Sequence, residues 1–176
     1  MLMSKPNKNP DGVFMTDTNI TLAMMTEGWQ TYQRELSKAL APLSPEQLAL
    51  RAAPHLRSIG ELARHMIAAR AGWYHDVLHE GDDAFNALSY WNSPGSPIRS
   101  ASEIVNGLAL TWQVMQEALA RYTPTDLQVV FEYELNGQTH MYTRGWVVWH
   151  VIEHDLHHGG EIGYSLGMYG LQAPDL

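Results

Sequence analysis

Three histidines near the end of the chain have a spacing that suits metal binding. His150, His154 and His158 follow one another at four-residue intervals. In an α-helix, residues four apart stand one turn along the axis and about 40° around it, so these side chains share one face. Two imidazoles at this spacing can both reach a metal ion that lies about 2 Å from their nitrogens. The pair His154 and His158 therefore predicts part of a metal site.

A third ligand must come from another helix, because two imidazoles form only a weak site. His65 is the candidate, since it falls at the border of the buried arc of an earlier helix, whereas His75 and His79 point toward solvent. Three histidines leave at least one coordination position open, which suits catalysis better than structural metal binding. Imidazole ligation fits zinc, nickel, copper and iron. The sequence does not choose among these metals, and zinc and nickel are the first candidates.

Neighbours of these histidines admit more than one role. Glu161, one turn beyond His158, could be a ligand, a general base, a carboxylate that orients a ligand, or a solvated charge at the helix end. His150 could touch the ion, carry a proton or belong to the core. His65 taken alone is more often a satisfied core histidine than a ligand. The segment from His150 to His154 also has the inverzincin spacing, but that family needs a larger chain, so we regard the match as a coincidence.

Amphipathic periodicity and capping boxes predict the helices that must position these residues. An apolar stripe between Leu22 and Leu43 recurs at steps of three and four and predicts a first long helix. Three capping boxes, in which a serine precedes Glu or Gln by three residues, predict further helix starts. Ser44 begins a short helix, while Ser58 and Ser100 begin long ones. The helix that starts at Ser58 is predicted to end near residue 80.

A small β-hairpin and one more long helix complete the expected elements. Residues 129–135 and 138–143 are rich in β-forming side chains, and the Asn-Gly pair between them is a strong hairpin signal. Residues 144–168 are predicted to form the last helix, which carries the histidines at 150, 154 and 158. Four long apolar stripes predict an all-α protein, a four-helix bundle with one short extra helix and a hairpin.

Two stretches lack a regular apolar pattern. Residues 1–17 are polar and contain proline, so we predict a flexible N-terminal arm and a single domain over residues 18–176. Residues 81–99 are rich in Gly and Pro and are predicted to form a long loop, which is often functional. Aromatic side chains that could wall a pocket are Trp73, Tyr90 and Trp91.

Composition narrows the classes of function. The 176 residues suit one domain, and the absence of cysteine excludes disulfides, thiolate ligands and a cysteine nucleophile. Any thiol chemistry would therefore need an external thiol. The net charge of −8 and the lack of a basic run argue against a nucleic-acid partner. No apolar stretch approaches the roughly 20 residues of a membrane span and no secretory signal is visible, so we expect a cytoplasmic protein without a membrane partner.

Two segments of the sequence resemble the DinB/YfiT-like superfamily. They are the stretch from Ser58 to His65 and the stretch from Trp149 to Ile162, which holds the histidine-rich helix. The resemblance implies an up-down-down-up four-helix bundle that is often dimeric. It also implies that His65, His154 and His158 are the metal ligands, the same three residues that helical spacing selects.

The resemblance and the histidines together predict a metal-dependent enzyme that acts on a small molecule. Characterised members of the superfamily include thiol-dependent S-transferases and a mycothiol-dependent isomerase, so we expect one divalent metal and an external low-molecular-weight thiol. Glu161 or His150 would carry protons. Membership does not itself assign an activity. Two alternatives stay open, namely a metal-dependent hydrolase and a non-catalytic metal-binding bundle for stress or ligand sensing.

Glycines mark the opposite side of the last helix. Gly160, Gly163 and Gly167 lie away from the histidine face, together with Trp149, Ile152 and Leu156. Each glycine costs about 1 kcal/mol relative to alanine inside a helix, which calls for a compensating contact. We predict that this face packs against the hairpin or against a second subunit in a homodimer, with local accommodation inside the monomer as the alternative.

Overall fold

Three of the predicted helix starts are serines whose side chains satisfy a backbone N–H group in the first turn of the helix. The computed structural model describes residues 17–135 and 137–175. In it, the side chains of Ser44, Ser58 and Ser100 each accept a hydrogen bond from the backbone three residues on, and the Gln or Glu at that position accepts one in return. The three predicted capping boxes are confirmed. The predicted N-terminal arm lies outside the described residues, apart from Asp17, where the first helix begins.

Six α-helices and one hairpin make up the described chain. The helices are α1 Asp17–Leu40, α2 Pro45–Leu48, α3 Ile59–Gly72, α4 Asp83–Asn86, α5 Ala101–Arg121 and α6 Arg144–Met168. The strands β1 Val130–Leu135 and β2 Gln138–Thr143 pair antiparallel, with Leu135 opposite Gln138 at the turn. α3 continues as a π-helical turn over Trp73–Val77. The predicted hairpin and the predicted last helix are confirmed.

The long helices α1, α3, α5 and α6 form the predicted up-down-down-up bundle. α3 packs between α5 and α6, and α5 packs against α1. α1 meets α6 where the Tyr32 ring lies against Gly159, and a Cβ at Gly159 would overlap the Tyr32 hydroxyl. This close approach of α1 and α6 requires glycine. The side chains of Leu36, Met66 and Leu108 are among those fully buried where the helices meet.

The segment 81–99 contains two short helices and is not a continuous loop. It contains the four-residue helix α4 and a 3₁₀ helix over Ala87–Asn92. Asp82 caps α4, since its Oδ1 accepts a hydrogen bond from the Phe85 N–H at 2.9 Å, and the Phe85 side chain is buried. The prediction of a continuous loop is therefore wrong, because one capping residue and one buried aromatic side chain order a turn too short to show periodicity.

The hairpin does not cover the glycine-lined face of α6. Its Tyr133 and Tyr142 rings pack against Trp73 at the end of α3. Among the described residues, a Cβ at Gly160 or Gly167 would have no atom within 4 Å, and one at Gly163 would contact only Pro174, at 3.6 Å. The hairpin version of the packing prediction is therefore wrong, since aromatic contacts hold the hairpin at the other end of the helix. The second-subunit version stays a prediction.

Within the described ranges, no helix has both the length and the apolar character that crossing a bilayer requires.

Candidate metal centre

α3 and α6 carry the three histidines selected from the sequence on the faces where these helices pack together. α6 begins at its cap Thr143, whose side chain accepts a hydrogen bond from the Trp146 N–H. It stays regular for 25 residues, so His154 and His158 keep their one-turn spacing. α3 packs along α6 and presents His65 to both of them.

The three imidazoles converge on one point. Nε2 of His65 and Nε2 of His154 lie 3.1 Å apart. The ring centroids are separated by 4.8 Å for His65–His154, 4.7 Å for His65–His158 and 4.4 Å for His154–His158. One nitrogen from each ring lies within 4.8 Å of the other two, a spacing that a single metal ion could bridge.

Burial keeps two of these rings neutral. The pKa of His65 is lowered to about 4, chiefly by burial and next by the positive charge of Arg57. Burial lowers the pKa of His154 to about 3, with His158 as the next contributor. The neutral imidazole is the form that binds metal. Within the described chain, Nδ1 of His154 is buried without a hydrogen-bond partner, so protein groups alone do not satisfy the cluster. This donor set fits a divalent metal ion.

Glu161 sits beside the cluster and holds one of its rings. Its Oε2 lies 2.7 Å from Nδ1 of His158 and its Oε1 lies 3.7 Å from Nε2 of His157. A carboxylate that is hydrogen-bonded to one imidazole nitrogen fixes the orientation of the ring and leaves the other nitrogen available to bind a metal ion. Glu161 is also partly exposed, so it can reach a molecule that approaches the histidines.

The structure places His150 apart from the three histidines. Its ring stacks on Trp146 at 4.9 Å and 10°, meets Trp73 edge-on at 4.8 Å, and lies 6.2 Å from the His154 ring. Nδ1 of His150 faces Glu153 Oε1 at 3.4 Å. His150 shares the helix face of the other two, as predicted, but Trp146 and Trp73 hold it in an aromatic cluster at the hairpin end of α6.

The aromatic residues predicted as pocket walls lie elsewhere. Trp73 belongs to the cluster around His150. Trp91 packs into the space left by Gly107, and the Arg99 guanidinium lies over its ring at 4.5 Å. Tyr90 is 64% exposed. Trp91 is held against α5 because Gly107 has no side chain there.

A groove of about 550 Å³ adjoins the histidines and meets them at Glu161. Part of its lining comes from the connection between α2 and α3, and part from the last turns of α6. The lining residues are Ala52, His55, Leu56, Arg57, Leu62, Glu161, Tyr164 and Ser165. Among these residues only Glu161 was predicted as a site residue from the sequence, because residues 52–57 have no periodicity that indicates where their side chains point.

A buried ion pair lies one residue from His154. Arg70 of α3 and Asp155 of α6 are both completely buried, with Arg70 Nη2 at 2.8 Å from Asp155 Oδ2. Arg70 Nε donates to both carboxylate oxygens, at 3.0 and 2.9 Å, and Trp29 Nε1 donates to Oδ2 at 2.7 Å. With Trp29 of α1, the pair joins three helices. This ion pair was not predicted from the sequence, although a charged residue inside an otherwise apolar helix face is a usable signal.

Comparison with known proteins places the fold in one group. Residues 29–162 match the DinB superfamily. A DinB-like protein from Bacillus cereus ATCC 10987 superposes with a TM-score of 0.64 and 22% identity, covering 85% of this chain and 93% of that one. A candidate member of the DinB family from Exiguobacterium sibiricum 255-15 superposes with a TM-score of 0.60 and 22% identity, covering 89% of this chain and 94% of that one. A conserved protein from Enterococcus faecalis superposes with a TM-score of 0.61 and 14% identity, covering 86% of this chain and 95% of that one. No curated protein matches the sequence significantly.

Proposed function

Because this chain belongs to the DinB superfamily, we propose that it binds one divalent metal ion through His65, His154 and His158. We further propose that it catalyses a thiol-dependent transfer or isomerisation on a small molecule, with zinc or nickel as the metal. The observation that carries the proposal is the convergence of three imidazoles from two helices beside an open groove. Three protein ligands leave a coordination position free for a reactant.

The metal would supply Lewis acidity, which lowers the pKa of a thiol that reaches it. The protein's own groups have separate tasks in this proposal. Glu161 orients His158 through one oxygen and faces the groove, where it can accept the proton that the thiol gives up. The buried pair of Arg70 and Asp155 keeps α3 and α6 in register, so that His65 stays opposite the other two ligands.

The transfer reaction has a simple balance. The thiol S–H bond breaks and its proton passes to Glu161, while the sulfur forms a bond to an electrophilic carbon of the substrate. For a chloro-aromatic substrate the C–Cl bond breaks and chloride leaves with the bonding electron pair. The thiol must be external, because the chain contains no cysteine.

Conjugation of a thiol to a chloro-aromatic electrophile tests this proposal. The metal-loaded protein should form conjugate with glutathione, mycothiol or bacillithiol, and His154→Ala should abolish the reaction. His75→Gln is the matched control, because His75 lies outside the histidine cluster and its imidazole pairs with Asp76. Turnover of a model ester without any thiol would instead favour the metal-dependent hydrolase. Bound metal without turnover in either assay would favour the non-catalytic bundle.

We also propose that two copies associate through the glycine-lined face of α6. Trp149 and Leu156 on this face are 50% and 48% exposed. No described residue would contact a Cβ at Gly160 or Gly167. Sedimentation velocity should therefore report a dimer, and Gly167→Leu should shift it toward monomer. A wild-type protein that stays monomeric at high concentration would contradict this assembly.

A further inference from the structure

The groove beside the histidines is lined by groups of opposite charge. Glu161 lies next to the histidines, and its carboxylate is already held by His158. His55 and Arg57 line the groove as well, from the connection that precedes α3. Arg57 also acts electrostatically on His65, so its guanidinium lies near the cluster.

Arg57 stands out among the basic side chains. Across residues 17–135 and 137–175, every other lysine and arginine donates a hydrogen bond or forms an ion pair with the protein. Arg57 has neither, and it remains unpaired with Glu161 although both line the same groove. A guanidinium presents several N–H donors in a planar fork that matches a carboxylate. A free one at the side of a groove is therefore available to an anion from solution.

The groove also has an apolar lining. Leu62 contributes from α3, Leu56 from the connection before it, and the Tyr164 ring from α6. Leu56 is 45% exposed and Tyr164 is 68% exposed, so a bound molecule would remove both from water. The groove thus combines an unpaired guanidinium with apolar surface, in a volume that suits a small organic molecule.

We propose that this groove binds a small organic carboxylate, with Arg57 on the carboxylate and Leu56, Leu62 and Tyr164 on the apolar body. A ligand bound in this way lies beside Glu161, which adjoins the three histidines. This inference rests on the proposed function for the assignment of the groove as the reactant site. The carboxylate belongs either to the substrate or to the external thiol, since both can carry one.

Methyl NMR on leucine-labelled protein tests the binding directly. Hexanoate should shift the methyl signals of Leu56 and Leu62, in the metal-free protein and in the zinc-loaded protein alike. Arg57→Gln should weaken hexanoate about tenfold, as expected for loss of a charge-assisted hydrogen bond. Hexanamide, the neutral isostere, should bind wild type and Arg57→Gln equally. Arg34→Gln is the matched control, because Arg34 is an exposed arginine that pairs with Glu35 on α1.

Equal affinity of hexanoate for wild type and Arg57→Gln would overturn the proposal, as would shifts that avoid both leucines. A competition experiment then identifies the source of the carboxylate. Displacement of hexanoate by reduced glutathione assigns the groove to the thiol, and simultaneous binding of both assigns it to an acidic substrate.

The two proposals can fail separately. Hexanoate binding that depends on Arg57, without thiol conjugation in any assay, would refute the proposed reaction alone. If the protein conjugates thiols but Arg57→Gln leaves hexanoate binding unchanged, only the groove assignment would be refuted.

Discussion

Replacing Asp155 with alanine should remove much of the protein's free energy of unfolding. Its carboxylate is completely buried and accepts hydrogen bonds from Arg70 and from Trp29. In the Asp155→Ala variant the Arg70 guanidinium stays buried without its anion. Its remaining hydrogen bonds are long and go to neutral groups, at 3.5 Å to the Leu108 carbonyl and 3.4 Å to the Thr111 hydroxyl, so they do not compensate the charge.

The expected loss follows from the cost of an unpaired buried charge. Removing one partner of a buried ion pair typically costs about 3–5 kcal/mol. The Trp29 N–H also loses its acceptor, and a buried donor without a partner costs about 1–3 kcal/mol, although the two losses need not add. Domains of this size are stable by only about 5–15 kcal/mol. Asp155→Ala should therefore leave the protein close to unfolding.

Urea unfolding, followed by circular dichroism, measures this loss. Glu27→Ala, at an exposed site on α1, should change the free energy of unfolding by less than about 0.5 kcal/mol. The double variant Arg70→Met/Asp155→Leu removes both charges and should be more stable than Asp155→Ala, since no unpaired ion remains. A loss below about 1 kcal/mol in Asp155→Ala, the range of a surface ion pair, would refute the reasoning.

Two further predictions concern the histidines and the α1–α6 contact. The metal-free protein should lose stability as the pH falls below about 6.5. Histidines of the unfolded chain then bind protons, whereas His65 and His154 in the folded protein, with pKa values of about 4 and 3, stay neutral. Urea unfolding between pH 7 and pH 4 measures this slope, His154→Gln should flatten it, and a flat wild-type profile would contradict it. Gly159→Ala should lower stability by about 1–3 kcal/mol because its Cβ meets the Tyr32 hydroxyl. Gly28→Ala, at an exposed site on α1 where no described atom lies within 4 Å of the added Cβ, should raise stability by about 1 kcal/mol. Equal thermal shifts for the two variants would argue against the contact.

Local signals in the sequence were sufficient for most of the secondary structure. Capping boxes at Ser44, Ser58 and Ser100 placed helix starts, because a cap depends on residues within one turn. The Asn-Gly turn placed the hairpin for the same reason. The four-residue helix α4 was not predicted, since a single turn is too short to show apolar periodicity.

The site was predictable where it depends on helix geometry and unpredictable where it depends on packing. His154 and His158 share a face at any tilt of α6, so their pairing could be read from spacing. His150 has the same spacing, but its contacts with Trp146 and Trp73 depend on where the hairpin docks. The lining of the groove depends on a connection without periodicity, which sequence spacing cannot place.

Metal content is the most direct test of the histidine centre. Protein purified without a metal-affinity tag and analysed for its elements should carry about one divalent ion per chain, by the three-ligand argument. His154→Ala should lose that ion, while His75→Gln should keep it. A wild-type protein that takes up no divalent metal, or that holds the same amount after His154→Ala, would contradict the account.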